Sequence, residues 1–409
     1  MPTTYRYPTV PAARLLDDAA QDFPDVVAIE YRRYRLTYRK LLDHADRFAT
    51  ALADRGVGVG DQIVVVLPNC PQLIVALFAI WRIGGAVTLA PRIALASGTV
   101  KRARIVVTLE RWYHATVAPV RATLAPDSDV IVTARSDYLP FPRNVLSGLR
   151  RRQRRIPESD RVLRFADLIR RSVPAPREPS AADRSVALST DDTPVSQQQL
   201  VVNSFQLRLW LPDVVAGDER FLLAVPLTDA IGTVWMLTAV LSASTMVLVD
   251  EGRAAQRQRS ALRARPTILP LDHDVTGDLL RASWRRGNLH SVRIALSVAP
   301  LDDHVRAQLS ELTDKGRIRT AWGVGGLLTH ADPIYGRAEQ GSVGLPLPDT
   351  ETVVLADGGS EPAVGVRGRL WVRGPQLHRS EWVDAGVEAT LDTDGYLVVH
   401  PTDAIGRQV

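Results

Sequence analysis

The chain has 409 residues, 45% hydrophobic and 23% charged, the composition of an ordinary globular protein with room for two or three domains. Its net charge of +5 rests almost wholly on arginine, since the only lysines are Lys40, Lys101 and Lys315. So mild an excess follows equally from a genome-composition bias, and no nucleic-acid partner is expected. The single cysteine, Cys70, excludes a disulfide framework or a cysteine-based zinc site within the chain.

Met1 to Leu16 lacks the charged-then-apolar layout of a signal peptide, so a cytoplasmic location is expected. Val27 to Tyr31 and Tyr34 to Tyr38 read as two short strands around Arg32-Arg33. Leu41, Leu42, Ala45, Phe48, Ala49 and Leu52 then repeat at helical spacing and stop at Gly56. The run Gly56-Val-Gly58-Val-Gly60 imitates a dinucleotide fingerprint, yet it follows a helix and precedes the strand Ile63 to Leu67. That is the reverse of the required order, and it reads as a turn. A helix over Pro71 to Ile83 and strands over Ala86 to Ala90, Ile105 to Leu109 and Val130 to Thr133 complete the alternation. An α/β fold with a largely parallel sheet follows.

Beyond Tyr138-Leu-Pro-Phe-Pro142 come Arg150, Arg151, Arg152, Arg154 and Arg155. Arginines beside aromatic and proline residues suit an anionic membrane surface, so these five are candidates for peripheral contact with the inner membrane face. The alternative is a solvated charged loop. Ser172 to Asp183 reads as a linker.

Val186-Ala-Leu188 is β-prone, Ser189 to Pro194 reads as a polar turn, and Ser196 as a helix N-cap. Strand, loop and helix start is the order that offers N–H groups to a phosphate. Residues 189–194 contain no glycine, lysine or arginine, and they carry Asp191 and Asp192. Phe221 to Val249 is apolar and long, but Pro226, Asp229 and Gly232 break it into a strand, a helix over Ile231 to Leu241 and a second strand rather than a membrane span. Thr267 to Pro270 and Arg293 to Ser297 add strands. Asp272-His273-Asp274 reads as a polar loop, because adjacent residues converge poorly on an ion, and no metal is expected. After Pro333, short strands over Glu351 to Leu355, Gly368 to Arg373 and Leu397 to Val399 suggest a small β-barrel or open sheet. No Gly-x-Ser-x-Gly elbow is present.

Four blocks in one order carry a resemblance: Leu36 to Pro91, Thr329 to Val354 (THADPIYGRAEQGSVGLPLPDTETVV), Gly368 to Leu377 (GRLWVRGPQL) and Leu391 to Val399 (LDTDGYLVV). Together they resemble the AMP-forming acyl-CoA synthetases, with Ser136 to Pro142 and Thr329 to Arg337 most similar to long-chain fatty-acid–CoA ligases. The resemblance implies an α/β fold of two stacked αβ subdomains plus a small β-barrel. The expected division is 1–180, 181–332 and 333–409, with the degenerate phosphate loop in 186–203. The family joins a carboxylate to the α-phosphate of ATP, releases pyrophosphate, and passes the acyl group to coenzyme A. That chemistry requires a phosphate cradle, Mg²⁺, a ribose anchor and a lid.

This chain departs from the family at each of those parts. The Ser/Thr/Gly-rich phosphate loop ending in Pro-Lys-Gly is reduced to Thr193-Pro194. The Pro-Leu-aromatic-His-x-x-Gly motif beside the acyl channel reads Pro226-Leu-Thr228-Asp229-Ala-Ile-Gly232, leaving Thr228, Asp229 and Gly232 as acyl-channel candidates. The adenine-side Gly-Ala-Ala-Pro is Val298-Ala299-Pro300, and the aromatic-Gly-Leu-Thr-Glu block is Trp322-Gly323-Val-Gly-Gly-Leu-Leu. Ala299, Pro300, Trp322 and Gly323 are therefore the expected remnant of a nucleotide pocket, and the metal-binding glutamate has no counterpart. The ribose-holding Thr-Gly-Asp aligns with Ala385-Gly386-Val387, and the following arginine with Pro401. The chain stops at Val409, so the lid domain with its catalytic lysine is expected to be absent.

Losing one preorganised contact commonly costs roughly 10²–10³ in rate, and here several contacts that serve ATP or its metal are lost together. The expectation is a pseudoenzyme that binds fatty acid, acyl-CoA or a partner protein and has no catalytic residue. ATP, Mg²⁺ and coenzyme A enter only where activity is retained. Two alternatives stay open: a divergent long-chain ligase that still activates a carboxylate, and an interaction subunit that pairs with an active synthetase or with a second copy.

Overall fold

Short apolar runs bounded by turns become strands buried on both faces, and the most apolar helices become the layers between them. The computed structural model describes residues 5–90, 103–140, 142, 156, 161–175, 186–190, 193–249, 260–281, 287–356, 364–377 and 381–400. The first hairpin, β1 (Val27–Tyr31) and β2 (Tyr34–Thr37), closes through Arg32-Arg33 with Tyr31 opposite Tyr34. A parallel sheet then forms from β3 (Gln62–Val66), β4 (Ala86–Leu89), β5 (Ile105–Leu109), β6 (Asp129–Thr133) and β7 (Val162–Arg164), in the order β4-β3-β5-β6-β7. A separate antiparallel hairpin joins β8 (Val186–Thr190) to β9 (Thr193–Ser196).

The second large sheet has nine strands. It takes β10 (Arg220–Leu223), β11 (Thr245–Leu248), β12 (Ile268–Leu271), β13 (Ile294–Ser297), β14 (Arg317–Val324), β15 (Leu327–Ala331) and β16 (Leu345–Pro346), together with β1 and β2. Its order is β16-β15-β14-β13-β12-β10-β11-β1-β2. Finally β17 (Glu351–Leu355), β18 (Gly368–Arg373), β19 (Val383–Leu391) and β20 (Leu397–His400) make an antiparallel sheet of four, open among the described residues.

Sheet membership cuts across the division expected at 180 and 332. The hairpin of β1 and β2 pairs with β11, Ile29 beside Met246, and Thr245 Oγ1 donates to the Val27 carbonyl at 2.8 Å. Pairing there satisfies the backbone edge of β1, whose Ala28 and Ile29 side chains are fully buried by the layers packed on the sheet. At the other end β16 extends the nine-stranded sheet through Ala331 and Leu345.

Two helices without a polar face fill the middle. Every residue of Pro71–Arg82 is buried, and so is Ala230 to Val240 within Ala230–Leu241. Helix Ala12–Asp22 packs on both, which ties the two sheets together. Asn69, after β3, makes a second tie: its Nδ2 donates to the carbonyls of Leu223 (3.2 Å) and Val225 (2.7 Å), and its Oδ1 accepts from Leu227 N–H (3.0 Å). Among the described residues no helix is long and apolar enough to cross a membrane.

Candidate functional site at the carboxyl edge of the large sheet

Because β1, β10, β11, β12, β13 and the first half of β14 run parallel, their carboxyl ends share one edge, where ligands of open α/β sheets bind. The sequence-predicted residues converge there. Thr228 and Asp229 follow β10, Ala299 and Pro300 follow β13, and Trp322 lies two residues past Thr320, which pairs with Ser297 at the end of β13.

Each position has a local cause. Ser297 Oγ donates to the Ala299 carbonyl (2.8 Å) and accepts from Ala299 N–H (3.2 Å), which fixes the turn into Pro300. Trp322 is half-buried, its ring 6.0 Å from that of His330. Gly323 sits at the bulge between β14 and β15, where a Cβ would come 2.1 Å from the Leu327 carbonyl oxygen. The tip of that hairpin, Gly325-Gly326, reaches the start of helix Ala230–Leu241: a Cβ on Gly326 would lie 3.1 Å from Ala230 Cβ. Thr228 is half-buried and Asp229 is exposed at the N-cap position of the helix. At Gly232 a Cβ would fall 1.9 Å from the Pro226 carbonyl oxygen, so the helix backbone lies directly against that carbonyl.

The phosphate segment departs from the expected strand, polar turn and helix start. Thr193-Pro194 lies inside β9, paired with Thr190 and Ser189. Asp191 and Asp192 themselves lie outside the described residues, as do Arg150, Arg151, Arg152, Arg154, Arg155 and Pro401. Helix Gln197–Trp210 does begin at Ser196, in a capping box: Ser196 Oγ accepts from Gln199 N–H (3.1 Å) and Gln199 Oε1 accepts from Ser196 N–H (2.9 Å). The next side chains are engaged elsewhere. Gln197 Oε1 accepts from Ala12 N–H (3.0 Å), Gln198 Nε2 donates to the Pro8 carbonyl (3.0 Å), and Gln199 Nε2 donates to the Leu377 carbonyl (3.1 Å). The first-turn glutamines are thus bonded to other parts of the chain.

At the ribose position, Ala385-Gly386-Val387 lies within β19. Both flanking carboxylates are engaged: Asp384 pairs with Arg369 and accepts from Gly386 N–H at 3.0 Å, the Arg369 guanidinium holding it below its usual range, and Glu388 accepts from Arg367 Nε at 2.5 Å. Asp272-His273-Asp274 is no loop. Asp272 Oδ1 accepts from Val275 N–H at 2.6 Å and starts helix His273–Arg281. Among the described residues, no three His, Cys, Asp or Glu side chains are grouped to hold a metal ion.

Two buried ionisable groups beside Trp322 were not singled out in the sequence. His330 is fully buried in β15; Thr329 Oγ1 lies 2.9 Å from its Nδ1 and Thr352 Oγ1 lies 2.9 Å from its Nε2, and burial pushes its pKa down to about 3. Asp332 Oδ2 accepts from Thr320 N–H at 2.8 Å, while Oδ1 is buried without a hydrogen bond. Burial raises its pKa against the pull of that N–H, Arg306 and Arg319. The unbroken run Leu327-Leu328-Thr329-His330-Ala331 is the signal that could have marked the histidine as interior. Thr352 also lines a recess of about 550 Å³ with Trp210, Leu345, Pro346, Val364 and Leu391, away from the carboxyl-edge residues.

Comparison with known proteins places this geometry. The AMP-binding enzyme family matches residues 16–119 and 193–380, and the interruption, 120–192, takes in β6, β7 and β8. A long-chain-fatty-acid–CoA ligase of Bacillus subtilis (strain 168) is 26% identical over 412 residues, covering 94% of this chain and 72% of that protein. A ligase of the same description from Haemophilus influenzae is 23% identical over 416 residues, with 94% and 73% covered. Among solved structures, a long-chain-fatty-acid-CoA ligase from Archaeoglobus fulgidus superposes with TM-score 0.80 at 14% identity, over 97% of this chain and 85% of that one. An anthranilate CoA ligase in complex with anthranoyl-AMP gives TM-score 0.80 at 17% identity, over 98% and 78%. The chain belongs to the AMP-binding enzyme family.

Proposed function

We propose that this chain is an acyl-CoA synthetase homologue that has lost ATP-dependent adenylation and keeps the fold as a binding module for a fatty acid or acyl-CoA. The observation that carries the reading is the phosphate segment. β9, paired with β8, runs directly into a capped helix whose first-turn side chains Gln197 and Gln198 are bonded to Ala12 and Pro8. A triphosphate needs converging N–H groups and a cation there. The sequence supplies no glycine, lysine or arginine between Ser189 and Pro194, and two aspartates stand in their place. Valine at 387 cannot accept from ribose hydroxyls, and Asp384 is engaged by Arg369.

The ligand class comes from the relatives, whose names specify long-chain fatty acids. On this reading ATP, Mg²⁺ and coenzyme A are not cofactors of the chain. The protein is expected to be cytoplasmic. Calorimetric titration with palmitate and with palmitoyl-CoA tests the binding half: saturable heat with either is expected. Silence with both would leave the fold as an interaction subunit for a second copy or an active synthetase. ATP–pyrophosphate exchange in the presence of palmitate would establish the competing reading, a divergent ligase. The half-buried Trp322 at the carboxyl edge supports that reading, because a partly exposed indole offers a face on which a base can stack.

A further inference from the structure

The recess of about 550 Å³ beside Thr352 lies between two sheets. Leu345 and Pro346 form β16, an edge strand of the nine-stranded sheet, and Thr352 lies on β17, an edge strand of the four-stranded one. Leu391, the last residue of β19, adds a further wall. Its size falls in the range of small-molecule sites, about 300–1,000 Å³, which favour the junctions between packed units. The lining is hydrocarbon, and its polar atoms are already satisfied. Trp210 Nε1 donates to the Asp332 carbonyl at 2.9 Å, and Thr352 Oγ1 lies 2.9 Å from His330 Nε2. Val364 also lines the recess and is 61% exposed, an apolar side chain left in water.

Charge at the rim has one sign. Asp392 and Asp394 belong to the turn between β19 and β20, and among the described residues no lysine or arginine lines the recess. Asp392 serves the turn itself: its Oδ1 accepts from the N–H groups of Asp394 (2.9 Å) and Tyr396 (2.8 Å). Asp394 is exposed. Arg337 approaches it only to 3.9 Å and pairs more closely with Glu339, at 2.5 Å.

We propose that this recess binds an amphiphilic amine, its apolar body against Trp210, Leu345 and Leu391 and its ammonium group at Asp394. The lining selects the body, because burying hydrocarbon there leaves no polar wall atom without its partner. Charge complementarity selects the head: a carboxylate or phosphate would meet two aspartates at the rim, and an ammonium group meets an acceptor. The site therefore takes a ligand of opposite charge to a fatty acid, and it stands whether or not the chain binds one.

Titration of the full chain with dodecylamine below its micellar range, followed by tryptophan fluorescence, tests it. Dodecanol and dodecanoate serve as the neutral and anionic probes of the same chain length. Wild type is expected to saturate with dodecylamine, to hold it about fivefold tighter than dodecanol, the scale of one exposed ion pair, and to hold dodecanoate weakest. Asp394→Lys, at an exposed position, is expected to keep the wild-type melting curve and to reverse the order, with dodecanoate bound tightest. Val364→Arg, also exposed, should weaken dodecylamine and leave dodecanol within about twofold. Trp210→Phe should lose most of the fluorescence response. Equal affinity for the three head groups in wild type would overturn the proposal. So would an unchanged order of preference in Asp394→Lys, or a fluorescence response that Trp210→Phe leaves intact.

Discussion

Gln197 Oε1 accepts a hydrogen bond from the backbone N–H of Ala12 at 3.0 Å, joining the first turn of one helix to the first turn of another across 185 positions of sequence. Both residues are buried. Gln197→Ala would leave the Ala12 N–H without its acceptor, at a cost of about 1–3 kcal/mol. Urea denaturation should show that loss with an unchanged slope. A loss under about 0.5 kcal/mol would mean the contact contributes only packing.

Gly232→Ala should be far more damaging than its size suggests. The added methyl would meet the Pro226 carbonyl oxygen at 1.9 Å, and backbone cannot step aside as a side-chain terminus can. Overpacking of this kind costs about 1–3 kcal/mol or more. The variant should express poorly or melt several degrees lower. A wild-type melting curve would show that the glycine is not fixed by this contact.

His330 makes stability depend on acid. Its pKa is lowered from 6.5 to about 3 by burial, so between those values the unfolded chain binds a proton that the folded chain refuses. The contribution is complete above pH 6.5 and is lost as pH falls, by about 1.4 kcal/mol per unit. His330→Gln should flatten the stability profile between pH 6.5 and pH 5. An unchanged slope would contradict the assignment.

Asp46 acts with the opposite sign. It lies 2.9 Å from Arg82 Nε, and Arg82 also pairs with Asp17. Burial nevertheless pushes the Asp46 carboxyl from 3.8 up to about 6; Arg82 opposes the shift, while Asp17 and Asp43 add to it. The folded chain therefore holds the proton more tightly, and stability falls as pH rises from about 4 to 6, by roughly 3 kcal/mol in all. Asp46→Asn should remove that fall. Relative to wild type it should gain between pH 4 and pH 7; a constant difference would contradict this.

Much of the fold was legible because its signals are local. Leu41 to Leu52 at helical spacing, the glycine stop at Gly56 and the β-prone runs before and after Pro71–Arg82 each fix an element without outside help. What was not legible depends on pairing. Nothing in Val27 to Tyr31 states that it will lie beside β11 rather than β3, since either parallel neighbour would satisfy its backbone edge. Thr193-Pro194 reads as turn by composition but lies in β9, because the strand opposite imposes extended backbone. Gly232 entered as part of a motif; its geometric cause, the Pro226 carbonyl, needs the folded backbone. His330 drew no notice because burial, rather than sequence neighbours, sets its chemistry.

The central claim is that the phosphate segment no longer receives a nucleotide. Calorimetric titration of the full chain with Mg-ATP tests it most directly. The account predicts no saturable heat up to millimolar ATP, with or without palmitate. Binding with a micromolar Kd would contradict it, and would mean that residues outside the helix start and its hairpin cradle the phosphates.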